Sequence, residues 1–487
     1  MVPELFALIG LAIVLLTIAS KSHKQMNLLS VILPIVYLVL GFYTLFSVAL
    51  PHYFWYDNYF FIDHLSIYEA LITALVFFFA SVYAKGYIKG SIKLGEMSSA
   101  NLKFFYLAFN LLLIVVTFAF FSNNLAQFWI LAELSTALSA VLIVMLNAPK
   151  NIGAALKYIF ITSACMVFAF IGLILLYTLT EHIKVAGTLN WNQIMSVSPQ
   201  LSPALLFAVF IFTFVGFAAK SGIVPFHAWL PTAYSKAPGP VSAILSGSVT
   251  TIGVYGILRM YTIVAQNEVV SKVQIFLIAF GIISMLIAAL TMLRQTNLKK
   301  LIGYSSIEHM GFFLVGIGIG TQVAMFWTVF YMLAHSVTKA LLFFSAGILH
   351  HQYNGVRIEQ VKNAFKLQPI AAWSLIIGSA AIIGMPMFVI FLPKLSILMQ
   401  ATTISSILPL VLLLIFFIVS SAFGVFMIKI FSQNEEETLK TTKRYKAPIG
   451  MIAPIIILCI IVVGLGLFFP QQLTDLLNKI VSELGIR

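Results

Sequence analysis

Residues 220–231 read Lys-Ser-Gly-Ile-Val-Pro-Phe-His-Ala-Trp-Leu-Pro, and the rest of the chain is organised around them. The apolar run 205–219, which carries no charge, leads directly into Lys220. Gly222 and Pro225 follow at once, so a helix is expected to break at membrane depth. Irregular backbone is tolerated there only where protein or a water-filled cavity surrounds it. The stretch therefore predicts a lysine that binds and releases a proton inside the membrane.

Composition sets the broad class of the protein. Of 487 residues, 61% are hydrophobic and only 9% are charged, with a mean hydropathy of +1.04. Soluble domains carry about 25% charged residues, so the chain is predicted to be a polytopic, all-α membrane protein. The net charge of +13 is explained by loops at a membrane surface, and no nucleic-acid partner is expected. Cys165 and Cys459 lie in apolar runs without metal or redox spacing.

Fourteen stretches of the chain reach the roughly 20 apolar residues that a membrane span needs. They lie at about 3–20, 27–50, 64–84, 103–122, 125–147, 154–179, 202–223, 239–263, 272–293, 301–319, 322–349, 369–396, 404–430 and 448–470. Residues 52–63 and 186–200 are predicted to lie at the interface. No connector is long enough for a second domain, so residues 1–487 are expected to form a single transmembrane domain.

Loop charges predict the orientation. One set of alternate loops carries most basic loop residues, from Lys21 to Lys446. The other set, with the C-terminal tail, holds only Lys184, Lys272, Lys479 and Arg487. By the positive-inside rule, the first set faces the cytoplasm and both termini lie outside.

Charged residues within the spans are the candidates for function, because charge at the bilayer centre is costly and marks ion or proton paths. The basic ones are Lys157, Lys220, Arg259, Lys339, Lys394 and Lys429. Glu133 and Glu308 fall well inside spans, and Glu69 falls near the outer end of one. Arg259 and Lys429 lie near span ends and are expected to snorkel or to have structural roles.

Three pairs of these charges recur five spans apart: Glu133 with Glu308, Lys157 with Lys339, and Lys220 with Lys394. An odd number of spans per repeat inverts the second copy, as in many secondary transporters. The pattern predicts inverted five-helix repeats at about 103–263 (spans 4–8) and 272–430 (spans 9–13), with helices 7 and 12 broken. The predicted helix-break residues are Gly222, Pro225, Pro238, Pro240, Pro386 and Pro393.

Burial disfavours the charged forms of lysine and glutamate, and a nearby opposite charge restores them. Glu133 is the expected partner of Lys220, with Lys157 as a second neighbour. His309 and His335 suit relay positions because histidine titrates near neutral pH. His227 is either a gate or a loop cap, whereas the pair His350–His351 is expected at the surface.

Motifs of soluble enzymes do not occur: the chain has no phosphate loop, dinucleotide glycine pattern, cysteine cluster or nucleophile elbow. No cofactor or metal site is predicted. Any redox driver is expected on another subunit, and the apolar outer surface is expected to contact lipid and other membrane subunits.

The stretch 220–231, followed by Ala237-Pro-Gly-Pro-Val-Ser-Ala-Ile-Leu-Ser-Gly, resembles a signature of the antiporter-like proton-translocating subunits. These occur in complex I, Mrp-type sodium/proton antiporters and membrane-bound hydrogenases. Further matches are Ala132-Glu133-Leu-Ser, Ala154-Ala-Leu-Lys157-Tyr, Lys300-Leu-Ile-Gly-Tyr-Ser-Ser-Ile and Gly384-Met-Pro-Met-Phe-Val-Ile-Phe-Leu-Pro-Lys394. The segments Tyr304-Ser-Ser-Ile-Glu308-His309-Met-Gly and His335-Ser-Val-Thr-Lys339 are most similar to the F-type component of hydrogenase-4 and formate hydrogenlyase assemblies.

The resemblance implies a fourteen-helix fold with two inverted repeats. It implies an input pair of Glu133 and Lys220, an exit site at Lys394, and a central axis through His335 and Lys339. The chain also departs from the pattern. Complex I-type members usually have lysine where this chain has Thr251, and Val389, Ile390 and Pro393 make the twelfth-span break drier.

Three classes of function stay open at this point. The leading one is a proton- or Na⁺-translocating subunit of a hydrogenase-4- or complex I-like assembly. The second is the membrane part of an Mrp-type antiporter or of a bicarbonate-uptake complex. The third is a structural scaffold whose channel has lost its function, for which Thr251 is the main argument.

Overall fold

The computed structural model describes residues 2–54, 59–146, 149–183, 187–432 and 443–486. Lys184, Lys440 and Arg487, whose charges contribute to the predicted orientation, lie outside the described residues. So do 55–58 and 186 of the two predicted interfacial segments.

Helices account for almost all of the first half of the chain. They are α1 (Val2–Ala19), α2 (His23–Ser47), α3 (His64–Lys93), α4 (Leu102–Phe120), α5 (Leu125–Ile143), α6 (Pro149–Glu181), α7 (Trp191–Val197), α8 (Pro203–Ser221), α9 (Leu230–Lys236), α10 (Gly239–Ile244) and α11 (Thr250–Val264). A short antiparallel hairpin, β1 (His52–Phe54) and β2 (Phe60–Ile62), pairs Tyr53 with Phe61 and lies just before α3.

The second half is helical throughout. Its helices are α12 (Val270–Met292), α13 (Leu298–Ile319), α14 (Gln322–Tyr353), α15 (Ala364–Leu367), α16 (Pro369–Ile383), α17 (Phe391–Ala401), α18 (Ile407–Phe431), α19 (Ile449–Leu467) and α20 (Gln471–Glu483). Helices dominate because a backbone in lipid must satisfy its own hydrogen bonds.

Twelve helical segments of the described chain are long and apolar enough to cross a membrane. The shorter apolar helices at 4–19 and 369–383 bring the number to the predicted fourteen. Their bounds follow the predicted spans closely, although α3 extends to Lys93 and α6 begins at Pro149. The prediction of a polytopic all-α membrane fold is confirmed.

The seventh span is broken as predicted. Helix α8 ends at Ser221, a 3₁₀ turn covers Phe226–Trp229, and α9 completes the crossing. The twelfth span is broken between α16 and α17. Pro393, however, lies in the first turn of α17 and not in the break. Proline is tolerated in the first turn of a helix because the N–H it lacks would have no intrahelical partner there.

The eighth span contains an irregularity that the sequence did not predict. Between α10 and α11, residues Leu245–Val249 form a π-helical turn. Such turns are rare and occur frequently at functional sites. This span is enclosed on all sides: 100% of the residues in an 18-residue apolar stretch of it are buried, against 33% in α2.

The tenth and eleventh spans, α13 and α14, are almost as enclosed, with 94% of the residues in the corresponding stretch of each helix buried. The centre of the molecule therefore consists of the eighth, tenth and eleventh spans, and these carry the buried histidines and Lys339. Spans such as α6 and α18 form the periphery, with 33% buried, and expose apolar side chains outwards.

Candidate functional site

Lys220 lies at the end of α8, where Gly222 adopts a left-handed φ of 73° and ends the helix. The lysine is fully buried. Its Nζ donates to the carbonyl of Ala132 at 2.8 Å, to Ser135 Oγ at 2.6 Å and to Thr136 Oγ1 at 2.7 Å. These three oxygens accept from the three N–H groups of a protonated lysine. When the lysine is neutral, a hydroxyl can turn its hydrogen towards Nζ and donate to it.

Glu133 does not pair directly with Lys220, contrary to the sequence-based expectation. It is half-buried, its Oε2 accepts a hydrogen bond from Ser163 Oγ at 3.0 Å, and its Oε1 has no hydrogen-bond partner among the described residues. Helical geometry explains the difference, because Ala132, Ser135 and Thr136 point into the bundle whereas Glu133 points towards α6. The charge of Glu133 still acts on Lys220 from that position.

Lys157 was expected as a second neighbour of Lys220 but is not among its hydrogen-bond partners in the described chain. Its side chain is exposed on α6, and its charge acts on His227. His227 lies half-buried in the 3₁₀ turn after the break, and its Nδ1 has no partner in the described part of the chain. These two residues form a separate group beyond the helix break that follows Lys220.

Lys394 occupies the corresponding place in the twelfth span. Gly384 ends α16 with a φ of 81°, as Gly222 ends α8. The Lys394 Nζ lies 3.3 Å from Glu308 Oε1, donates to the Ile382 carbonyl at 3.0 Å and sits 4.5 Å from the ring centroid of Phe416. Unlike Lys220, this lysine has a carboxylate as a direct partner.

Lys339 on α14 lies between the two breaks and is fully buried. Its Nζ donates to the Ile302 carbonyl at 3.1 Å and to Ser305 Oγ. Glu308, one turn further along α13, is the carboxylate whose charge acts on it. Glu308 is thus placed between the charges of Lys339 and Lys394.

His309 and His335 face each other at the centre, with 3.2 Å between their Nδ1 atoms. His335 Nε2 contacts the Ser246 carbonyl at 3.1 Å and must donate to it, so a neutral His335 has a lone pair on Nδ1. His309 Nδ1 also lies 2.6 Å from Tyr331 Oη, and the tautomer of His309 decides which of the two atoms donates. A proton on either Nδ1 atom allows the two histidines to share a hydrogen bond.

The opposite side of His309 completes the chain of titratable groups. Its Nε2 lies 3.3 Å from Glu308 Oε2, without the alignment of a hydrogen bond. Contacts therefore run from Lys394 through Glu308 and His309 to His335. The arrangement can hold one exchangeable proton at several positions.

The helix-break residues occupy the ends of helices. Pro225 precedes the 3₁₀ turn, Pro238 is the N-cap of α10, and Pro240 lies in the first turn of α10. Pro386 lies within the break of the twelfth span. Each proline stands where an N–H would have no helical partner.

Two charged residues that were placed near span ends are fully enclosed by the protein. Arg259 forms a double contact with Asp63, at 2.8 Å from NH1 to Oδ2 and from NH2 to Oδ1, and does not snorkel. Glu69 is fully buried, and neither of its carboxylate oxygens has a partner in the described chain. The sequence placed Glu69 near a span end and gave no sign that other elements cover it.

His351 is a further correction, since it was expected at the surface. It is 6% exposed, stacks on Tyr87 and contacts Tyr445 Oη at 3.2 Å. Its neighbour His350 is half-buried and pairs with Glu96 at 2.8 Å. Both histidines lie at the end of α14, but they are covered because the segment around Tyr445 folds back over that helix.

The comparison with protein families decides the assignment. Residues 122–424 match the family described as NADH:quinone oxidoreductase/Mrp antiporter, TM. The chain belongs to this antiporter family. The match runs from just before α5 into α18 and thus includes Lys220, Lys339 and Lys394.

Curated relatives agree with this antiporter-family membership. The chain is 30% identical over 346 residues to a hydrogenase-4 component F homolog of Methylacidiphilum infernorum, covering 71% of this chain and 73% of the relative. It is 29% identical over 336 residues to hydrogenase-4 component B of Escherichia coli, covering 66% of this chain and 48% of that protein. The predicted similarity to the F-type component is confirmed.

Solved structures share the fold. A chain of the Mrp complex from Dietzia sp. DQ12-45-1b superposes with a TM-score of 0.85 at 19% identity, covering 99% of this chain and 97% of that one. A chain of an archaeal membrane-bound sulfane sulfur reductase gives 0.85 at 22% identity, covering 99% and 96%. The architecture of this chain is therefore that of the antiporter family.

Proposed function

We propose that this chain is a proton-translocating membrane subunit of a hydrogenase-4/formate hydrogenlyase-like or complex I-like assembly. The observation that carries the proposal is the buried series of contacts from Lys394 through Glu308 and His309 to His335. Buried charge is costly at membrane depth, and a scaffold without transport has no need of it. The redox chemistry that drives the movement is assigned to other subunits.

The proton is proposed to move by small rearrangements of side chains. Protonation of His335 Nδ1 satisfies its contact with His309 but places a positive charge near Lys339. Transfer of the proton to His309 brings the positive charge beside Glu308. The protonated His309 then competes with Lys394 for the Glu308 carboxylate. Release of Lys394 from Glu308 frees its proton on the far side of the twelfth-span break.

The first half of the chain is proposed to work on the same plan. We infer an inverted duplication with repeats at about 103–263 and 272–430, supported by the left-handed Gly222 and Gly384 that precede the two break segments. Lys220 is the proton-binding group of the first repeat. Glu133 is proposed to approach it when a neighbouring membrane protein of the assembly displaces Ser163 from the carboxylate.

The location follows from the loop charges. We propose that the protein resides in the cytoplasmic membrane with both termini outside and with the Glu96–His350 side in the cytoplasm. Other membrane subunits are the expected partners, and the exposed apolar faces of α6 and α18 are available for them. An Mrp-type cation/proton antiporter stays as the alternative, because one component of the Na⁺/H⁺ antiporter of Alkalihalophilus pseudofirmus is 26% identical over 307 residues.

The test is to replace Lys220 by alanine in the full complex reconstituted in vesicles. Lys220→Ala is expected to abolish formation of a pH gradient while the complex still assembles, as judged by the subunits that co-purify. Lys429→Ala is the matched control, because Lys429 is an exposed lysine on α18. Equal gradients in wild type and Lys220→Ala would contradict proton translocation and favour the scaffold.

A further inference from the structure

Glu69 lies on α3, away from the series of lysines and histidines. Its side chain is fully buried, and both carboxylate oxygens lack hydrogen-bond partners among the described residues. The titratable groups on which its charge acts are Tyr68 on its own helix and Tyr255 on α11. A carboxylate buried in this way, with no ion pair to any described residue, is strongly disfavoured.

The surroundings of Glu69 are polar. Thr73, one turn further along α3, and Ser248 in the π-helical turn have buried hydroxyls that also lack partners within the described chain. Val76, two turns from Glu69 on the same face, packs against Gly247 of that turn. The polar face of α3 is thereby directed at the π-helical turn and the start of α11.

Thr251 places its hydroxyl beside the carboxyl group of Glu69. Thr251 Oγ1 donates to the Ser248 carbonyl at 2.8 Å. In that arrangement it presents lone pairs towards Glu69, and these accept from a protonated carboxyl. The same hydroxyl can turn its hydrogen towards a carboxylate, so Thr251 can serve both forms of Glu69.

A metal cation fits this site poorly. The irregular π-helical turn would be the natural source of carbonyl ligands for Na⁺, but side chains already bind its carbonyls. Ser246 O contacts His335, Gly247 O accepts from Ser336, and Ser248 O accepts from Thr251. One carboxylate and a few hydroxyls are left, fewer oxygens than a dehydrated cation requires.

We propose that Glu69 is a proton-binding site of this protein, on the outward side of the central histidines. This proposal rests on the proposed function. The proton leaves the carboxyl O–H bond for a water molecule held by Thr73 and Ser248, and it returns by the reverse transfer. Beyond Glu69 the polar residues Tyr255, Arg259 and Asp63 extend towards the outer end, where Arg259 NH2 lies 2.7 Å from Tyr255 Oη.

Infrared spectroscopy of the purified full-length protein in lipid tests the protonation directly. At neutral pH, Glu69→Gln is expected to remove one protonated-carboxyl C=O band from the wild-type spectrum. Glu181→Gln, which replaces an exposed glutamate at the end of α6, is expected to leave the spectrum unchanged. Identical spectra for wild type and Glu69→Gln would overturn the proposal, as would a carboxylate band that responds to exchange of K⁺ for Na⁺.

Translocation in vesicles separates this proposal from the proposed function. Glu69→Gln is expected to lower the rate of proton transport at least fivefold, and Glu69→Asp to restore part of it, with assembly unchanged in both. Loss of transport in Lys220→Ala together with a wild-type rate in Glu69→Gln would overturn the role of Glu69 alone. Wild-type rates in both variants would overturn the proposed function itself.

Discussion

The ammonium nitrogen of Lys394 lies 3.3 Å from Oε1 of Glu308, and both side chains are buried. The related lysine of the first half, Lys220, is equally buried but makes its hydrogen bonds to neutral oxygens of α5. The two halves therefore differ in what stabilises the buried ammonium group. In the second half it is the negative charge of Glu308, and in the first half it is the dipoles of one carbonyl and two hydroxyl groups.

This difference predicts unequal costs of removing the two carboxylates. Glu308→Gln is expected to destabilise the protein by about 3–5 kcal/mol, because it leaves a buried lysine without its counter-charge. Glu133→Gln, the matched control, is expected to cost about 1 kcal/mol or less, because Glu133 is half-buried, its direct bond is to Ser163, and Lys220 keeps its three oxygen partners. Chemical unfolding in detergent measures both.

The double variant Glu308→Gln/Lys394→Met supplies the check on this interpretation. Removing both charges is expected to recover the part of the loss that comes from Lys394, since a buried pair replaced by apolar groups is often neutral. The part that comes from Lys339, on which the charge of Glu308 also acts, is expected to remain. Equal costs for the two single carboxylate variants would contradict the assigned difference between the halves.

The Asp63–Arg259 pair predicts a defined pH dependence of stability. Burial by itself raises the pKa of Asp63, but the adjacent Arg259 guanidinium and its hydrogen bonds outweigh this effect and hold the pKa below the usual value of 3.8. A carboxyl whose pKa is lowered on folding stabilises the fold above its unfolded pKa, and the contribution is lost as the pH falls through the folded pKa.

Asp63→Asn is accordingly expected to unfold at a lower temperature than wild type by a constant amount from pH 8 to pH 5. The difference should narrow only below about pH 4. Thermal unfolding followed by fluorescence at each pH measures it. A difference that narrows between pH 7 and pH 5 would point to another titrating group.

Gly222 and Gly153 form a matched pair of glycines for testing the break in the seventh span. Gly222 has a φ of 73°, and an added Cβ would overlap Leu230. Gly222→Ala is therefore expected to cost about 1–2 kcal/mol for the left-handed backbone alone. Gly153 on α6 has open space around it, so Gly153→Ala should be neutral or stabilising by up to about 1 kcal/mol. Urea unfolding of the two variants compares them.

An equal response of these two glycines would contradict the structure of the break. Proton transport measured on the same variants adds a second readout. Gly222→Ala is expected to impair it because the turn holds Lys220 against α5, and Gly153→Ala is expected to leave it intact.

The sequence predicted the residues that carry charge into the membrane but not all of their partners. Lys394 and Glu308 were recognised as interior charges, and they do meet. Glu133 was expected to contact Lys220 and instead binds Ser163, because adjacent positions on α5 point in directions about 100° apart. Glu69 was placed near the outer end of a span, but its burial was not predicted, since the position of a residue along a span does not show what covers the end of that span.

The sequence by itself determined the membrane fold, the number of spans and the breaks after Lys220 and before Lys394. These properties depend on local composition, on glycine and proline, and on the cost of charge in lipid. Only the tertiary structure decided which oxygen each buried lysine meets, that a π-helical turn interrupts the eighth span, and that Glu69 faces Thr251. Such contacts join residues far apart in the chain, and the packing of helix faces sets them at the scale of single ångströms.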